Sequence, residues 1–136
     1  MDIEANKALV RRYVELYTTG NVALADEVIN SDFVDHTHPE QRPGSEGVKH
    51  EVATFRAAFP DAYVKIEDII SEGDTVAFRF EIRGSHLGTF AGLPATGKIM
   101  TMTGMDFIRI ANGKLAELWS NQDTLGLLHQ LGLQLK

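Results

Sequence analysis

Apolar positions recur at helical spacing in the first part of the chain and at every second position in the rest. Over residues 3–19, Ile3, Leu9, Val10, Tyr13, Val14, Leu16 and Tyr17 fall on one face of a helix, and Gly20 ends the run. A short second helix fits Val22 to Ile29, with Asn21 as its cap. "DFVDHTHP", residues 32–39, reads as a short extended segment closed by Pro39, and "RPGS" as a loop. Ser45 then caps a helix over residues 46–58, which places Val48, Val52, Phe55, Ala58 and Phe59 on one side and stops at Pro60.

From Tyr63 onward the period is two. "YVKIEDII", "TVAFRFEIRG", "KIMTMTGMDFIRI" and "KLAELWSNQD" read as four strands. "SEGDT" and "IANGKL" join them as hairpin turns, and Asn112-Gly113 is the strongest turn signal in the chain. The closing "DTLGLLHQLGL" fits a short helix packing Leu125, Leu128 and Leu131. Helices first and an antiparallel sheet after them make a single α+β domain over residues 1–136.

A two-residue turn at Asn112-Gly113 sets a register. Ala111 then faces Lys114, Ile110 faces Leu115, Ile108 faces Glu117, Asp106 faces Trp119, Gly104 faces Asn121 and Met102 faces Asp123. Pairing preserves alternation, so these side chains share one face, with Asp106 and Asp123 roughly 13 Å apart. A small organic molecule fits between them. The opposite face carries Thr103, Met105, Phe107, Arg109, Ala116, Leu118 and Gln122 and is also substantially apolar. A sheet apolar on both sides needs two covers. Helices supply one; a second copy of the chain is the expected other, giving a homodimer through the sheet face.

Composition narrows the chemistry. The net charge of −6, with no basic stripe, argues against nucleic acid and anionic membranes as partners. The chain has no cysteine, which removes disulfides, thiolate nucleophiles and Cys-ligated metal sites. No apolar run approaches the ~18 residues of a membrane span. The amphipathic N-terminus is unlike a signal peptide, so a cytoplasmic location is expected.

The candidate site residues follow from the shared face. A carboxylate turned to an apolar core is costly unless it is paired or working. Asp123, beside Trp119, is set up as a general base; it equally suits the N-cap of the last helix, and the two roles are compatible. Asp106 fits a protonated donor, a partner for Arg79 or a structural acid. His36 and His38 alternate in the extended segment and suit hydrogen bonding to an enolate oxygen. They also suit two ligands of a metal, but no third ligand is evident, and His38 also reads as the polar end of a strand before Pro39. His86, in the G-x-H-x-G run after the second strand-like hairpin arm, suits a pocket mouth or an ordinary loop. Tyr13 and Tyr17 either pack or aim a hydroxyl into the pocket. Trp119, Asn121 and Met102 complete the expected walls. The glycine-rich "GTFAGLPATGK" lacks phosphate-loop spacing.

Residues 84–132 carry G-x-H-x-G-x-F-x-G-x-P-x-T-G-K, then F-x-R-I-x-x-G-K, then W-x-x-x-D, then a Leu-rich close ending in Q-L-G. Together with "FVDH" and "AFPD", this order resembles the SnoaL-like polyketide cyclases, or ester cyclases, of the NTF2-like superfamily. The resemblance spans nearly the whole chain. It implies a cone-shaped fold, with N-terminal helices packed in a curved, mostly antiparallel sheet that encloses a pocket. It also implies dimerisation through the sheet and cofactor-independent ring closure by intramolecular aldol condensation on a small hydrophobic carbonyl compound. By position in W-x-x-x-D the resemblance assigns the general acid/base to Asp123, with His36 assisting. The histidine such cyclases carry on the penultimate strand has no counterpart here; Asp106 is the ionisable group on that strand.

Two other functions compete. An isomerase of the ketosteroid type would use Tyr17 or Tyr13, Asp35 and Asp106. The alternative is a ligand-binding domain without catalysis. Asp35 and His36 are adjacent in an extended run, so only one faces the pocket, and which one it is separates the isomerase from the cyclase reading.

Overall fold

The computed structural model describes residues 2–133. Helix α1 (Ile3–Thr19) starts at Asp2, whose side chain accepts from the Ala5 amide at 3.1 Å, and ends at Gly20 in the left-handed region. The expected second helix divides in two. A 3₁₀ turn at Val22–Leu24 leads into α2 (Ala25–Val28), Asn21 makes no side-chain cap, and Ile29 already belongs to a strand. Helix α3 (Ser45–Ala58) follows Gly44, not a Ser45 cap; the Ser45 hydroxyl instead donates to Asp26 at 2.6 Å.

Five strands form one open mixed sheet. They are β1 (Ile29–Asp35), β2 (Tyr63–Glu72), β3 (Thr75–Ser85), β4 (Ile99–Ala111) and β5 (Lys114–Gln122), in the order β1-β5-β4-β3-β2. Three neighbouring pairs are antiparallel. The extended segment becomes an edge strand, with β1 running parallel to β5. Helix α4 (Thr124–Gln130) packs back on β4.

The β4–β5 hairpin corrects the expected register. Asn112 and Gly113 both have positive φ, as the predicted tight turn requires. The first pairs are Ala111–Lys114 and Ile110–Leu115. The next is Arg109–Glu117, so Ala116 is an extra residue on β5, a β-bulge. From there Ile108 faces Leu118, Phe107 faces Trp119, Asp106 faces Ser120 and Gly104 faces Gln122. The slip turns Leu118 and Ser120 to the inner face and sends Glu117, Trp119 and Asn121 outward. The burial of Leu115, Ala116 and Leu118 explains the preference, because the uninterrupted register would place the Glu117 carboxylate in the core and Leu118 in water.

The inner face of the sheet, with Phe78, Phe80, Ile82, Met102, Ile108 and Leu118, packs on Val10, Tyr13 and Val14 of α1 and on Val48 and Val52 of α3. The outer face leaves Met105 61%, Phe107 56% and Trp119 44% exposed. Among the described residues, no helix is long and apolar enough to cross a membrane.

Candidate functional site

A pocket lies between the inner sheet face and helices α1 and α3, at the end of β1. It holds about 440 Å³ of open space, mouth included. Its apolar walls are Val14, Val64, Phe78, Phe80, Ile82 and Leu118; its polar groups are Tyr13, Tyr17, Asp35, His38, Glu51, Asp106, Ser120 and Gln122.

Asp106 comes from β4, where even-numbered residues point inward. It is 5% exposed, between Phe78 on β3 and Ser120 on β5. Its Oδ1 has no hydrogen-bond partner among the described residues. Burial pushes its pKa up to about 7; the Ser120 hydroxyl and His38 pull down, while the charges of Asp35 and Glu51 push up. The neighbouring inward position on β4 is Gly104, and the Phe80 ring fills the space a side chain would take there. That leaves Asp106 as the polar group of its strand within the pocket.

Asp35 and His38 form a second unit. β1 ends at Asp35 and the chain turns, bringing Nδ1 of His38 to 2.9 Å from Oδ2 of Asp35. The Thr37 hydroxyl fixes this turn to β5, donating to the Ser120 carbonyl at 3.0 Å and accepting from the Ser120 amide at 2.7 Å. Burial alone would lower the His38 pKa, but the hydrogen bond and charge of Asp35 outweigh it and the net shift is upward. Across the pocket, the Tyr17 hydroxyl donates to Glu51 on α3. Burial raises the Glu51 pKa, which the Tyr17 bond and His38 oppose. Burial first, and Glu51 second, hold both Tyr13 and Tyr17 well above the ordinary phenol range, so both remain neutral donors.

The arrangement therefore joins a carboxyl that titrates near neutrality, an imidazole whose pKa a neighbouring carboxylate raises, and neutral phenols, all at an apolar cavity. Such a set can take a proton from carbon and supply one to oxygen. Among the described residues, no three of His, Cys, Asp or Glu are arranged to hold a metal ion.

Of the residues expected at the site, Tyr17 and Asp106 line the pocket together, and so does Asp35. The others lie elsewhere. Asp123 turns away and caps α4, accepting from the Gly126 amide at 2.9 Å. Trp119 and Asn121 point outward because of the bulge. His36, the first residue of the turn after β1, faces outward too, stacked on Trp119 at 4.7 Å with its Nε2 3.2 Å from Glu117. Met102 is core and does not line the pocket. His86 is fully buried outside the pocket. Its Nδ1 accepts from the Thr96 amide at 3.2 Å and its ring packs on Phe59, which pins the long β3–β4 connection.

Glu51, Ser120 and Gln122 were not expected at the site, and His38, read either as an enolate donor or as the polar end of a strand, lines the pocket. Glu51 had a legible signal, an acid between Val48, Val52 and Phe55 on the buried face of α3. Ser120 and Gln122 follow from Asp106 once the bulge is known.

Comparison with known proteins bears on this pocket. A family model described as SnoaL-like polyketide cyclase matches residues 7–131. Aklanonic acid methyl ester cyclase DnrD of Streptomyces peucetius is 31% identical over 128 residues, covering 91% of this chain and 88% of the relative. Aklanonic acid methyl ester cyclase DauD of Streptomyces sp. (strain C5) is 35% identical over 131 residues, covering 91% and 80%. Among solved structures, TsrD from Streptomyces laurentii superposes with a TM-score of 0.91 at 25% identity over 97% of this chain and 98% of that one. IdmH from Streptomyces antibioticus superposes with a TM-score of 0.80 at 31% identity over 94% and 99%.

Proposed function

The chain belongs to the SnoaL-like polyketide cyclase family, and from that premise we propose that it closes a ring in a small polyketide ester by an intramolecular aldol step, with Asp106 as general acid/base. The observation that carries this reading is the Asp106 carboxyl, buried in the pocket with one oxygen free and a pKa of about 7.

The step runs as follows. The Asp106 carboxylate takes a proton from a carbon acidified by neighbouring carbonyl groups. The resulting enolate carbon attacks a second carbonyl of the same molecule and forms the new C–C bond. The carbonyl oxygen gains the displaced electron pair and takes a proton from the His38 imidazolium, which Asp35 orients and favours. Tyr17 gives its one hydroxyl proton to Glu51 and lines the pocket wall beside the substrate. The proton left on Asp106 then returns to His38 directly or through solvent, and the cycle closes with no net proton change. Relative to the sequence expectation, the acid/base role moves from Asp123 to Asp106, and the assisting role from His36 to His38.

The test is ring closure of a polyketide methyl ester by wild type and Asp106→Asn. General acid/base loss costs about 10²–10⁴-fold in rate; undiminished turnover in the variant would sink the reading.

One observation favours a second reading. Asp35, not His36, faces the pocket, so the isomerase set of Tyr17, Asp35 and Asp106 is assembled. The first step is the same C–H deprotonation, but the proton returns to another carbon. Against it, Asp35 already accepts from the Thr37 amide and His38. A double-bond isomer as product, without a new ring, would select it; binding without turnover of either kind would leave a ligand-binding domain.

We further propose a homodimer through the outer sheet face. Its support is the exposed set Met105, Phe107 and Trp119 on neighbouring strands. Phe107→Glu should yield monomer in sedimentation where wild type sediments as dimer.

A further inference from the structure

The pocket continues past His38 and Glu51. Both residues also line a wider groove that runs between α3 and residues 38–42. The two spaces meet at these two side chains, which sets the groove beyond the reacting ring in the cyclase reading.

Arg42 stands in the groove wall. Gly44, at φ +79°, shapes the turn that follows it, and a Cβ on Gly47 would come within 2.0 Å of the Arg42 carbonyl oxygen. The segment is therefore pressed on the first turn of α3, so the Arg42 backbone is fixed while its side chain is exposed. Among the described residues its guanidinium makes no ion pair, although the chain carries an excess of acids. Most other cations are engaged: Lys49 with Asp26 and Glu46, Arg79 with Asp68, Arg109 with Glu117. The carboxylates of the groove do not satisfy Arg42 either. Glu46 is held by Lys49 and Glu51 by Tyr17, and Glu40 lies in the same groove without pairing to it.

We propose that Arg42 recognises an ionised substituent, a carboxylate or phenolate, on the far end of a planar aromatic substrate. The proposal rests on the cyclase reading for the position of the reacting ring. A guanidinium is suited to the task because its planar fork meets a carboxylate through two parallel hydrogen bonds. Lys49 also lines the groove but is held by Asp26 and Glu46, which leaves Arg42 for the substituent.

The test uses 2-naphthoate and its methyl ester as probes, titrated calorimetrically into the full chain at low salt. Wild type should bind the acid about tenfold more tightly than the ester, with the preference shrinking as salt is added. Arg42→Gln should abolish the preference, and Arg83→Gln, which removes a cation outside the groove, should keep it. Equal affinities in wild type, no binding of the acid, or a preference kept in Arg42→Gln would each overturn the proposal. Because titration needs no turnover, an Arg42-dependent preference in a protein that closes no ring would count against the cyclase reading alone.

Discussion

Nδ1 of His38 lies 2.9 Å from Oδ2 of Asp35, while Oδ1 of the same carboxylate accepts from the backbone amides of Thr37 at 2.9 Å and His38 at 3.3 Å. One buried carboxylate therefore shapes the turn and orients the imidazole. The ring's other nitrogen is left for a ligand. A buried carboxylate with three donors also lets the strand end in the core without an unpaired charge.

Asp35→Asn keeps an oxygen for the turn amides but removes the charge. The His38 pKa, which Asp35 raises against the pull of burial, should fall. The alkaline limb of the activity profile should move to lower pH with it. NMR titration of the His38 ring checks this directly, and a midpoint equal to that of wild type would refute it.

Activity should follow a bell in pH. Asp106 must be ionised to take a proton, so kcat/KM rises as pH passes through about 7. His38 must be protonated to give one, so activity falls above its raised pKa. Asp35, Glu51 and Asp106 interact, so the limbs report the cluster as a whole. A rate flat across pH 6 to 8 would speak against Asp106 as the base.

Asp106 should also cost stability. Its pKa is raised in the folded chain, so between pH 4 and 7 the folded state binds more protons than the unfolded one. Stability therefore falls as pH rises through that window and levels off above it. Asp106→Asn removes the ionisation and should stabilise the protein at pH 8, by on the order of a few kcal/mol, with little gain at pH 4. Thermal melts of both proteins at the two pH values measure it. A variant no more stable than wild type at pH 8 would mean that the carboxylate is better solvated than its burial implies.

These residues differ in how far the sequence exposes them. The long helices and the inner-facing positions of β3 and β4 follow from periodicity, because each element buries one face. Asp106 stands out as an acid among the apolar residues of a strand. His38 does not, since its place depends on the chain turning at Asp35 and being held by Thr37 against β5, a strand more than 80 residues away. The inward direction of Ser120 and the outward direction of Trp119 depend on one extra residue at Ala116. An alanine at a bulge carries no local mark, whereas the Asn-Gly turn beside it does. Read without the bulge, the W-x-x-x-D spacing sets Asp123 on the inner face; with the bulge, Asp123 falls at the cap of α4.

Asp123 sits at the start of α4, and its carboxylate accepts from the Gly126 amide. Asp123→Ala should lower stability by about 1 kcal/mol, the usual loss for a removed N-cap. Ring closure per folded molecule should be retained, since the side chain lies outside the pocket. Parallel melts and rate measurements decide between cap and catalyst: a stable variant with a large loss of turnover would restore Asp123 to the site.

Deleting Ala116 tests the bulge itself. Without the extra residue, Leu115 still faces Ile110, Glu117 still faces Arg109 and Leu118 still faces Ile108, now in an uninterrupted ladder, so every later β5 side chain keeps its face. Leu118 stays in the core and Glu117 stays with Arg109 on the outer face. What is lost is the burial of the Ala116 methyl and the local bend and twist of the bulge, a cost of about 1 kcal/mol. The deletion variant should therefore melt cooperatively, slightly below wild type, and keep Ser120 beside Asp106. A deletion variant that no longer folds would mean that the bend at Ala116 itself, and not only the residue count, holds β5 against β4.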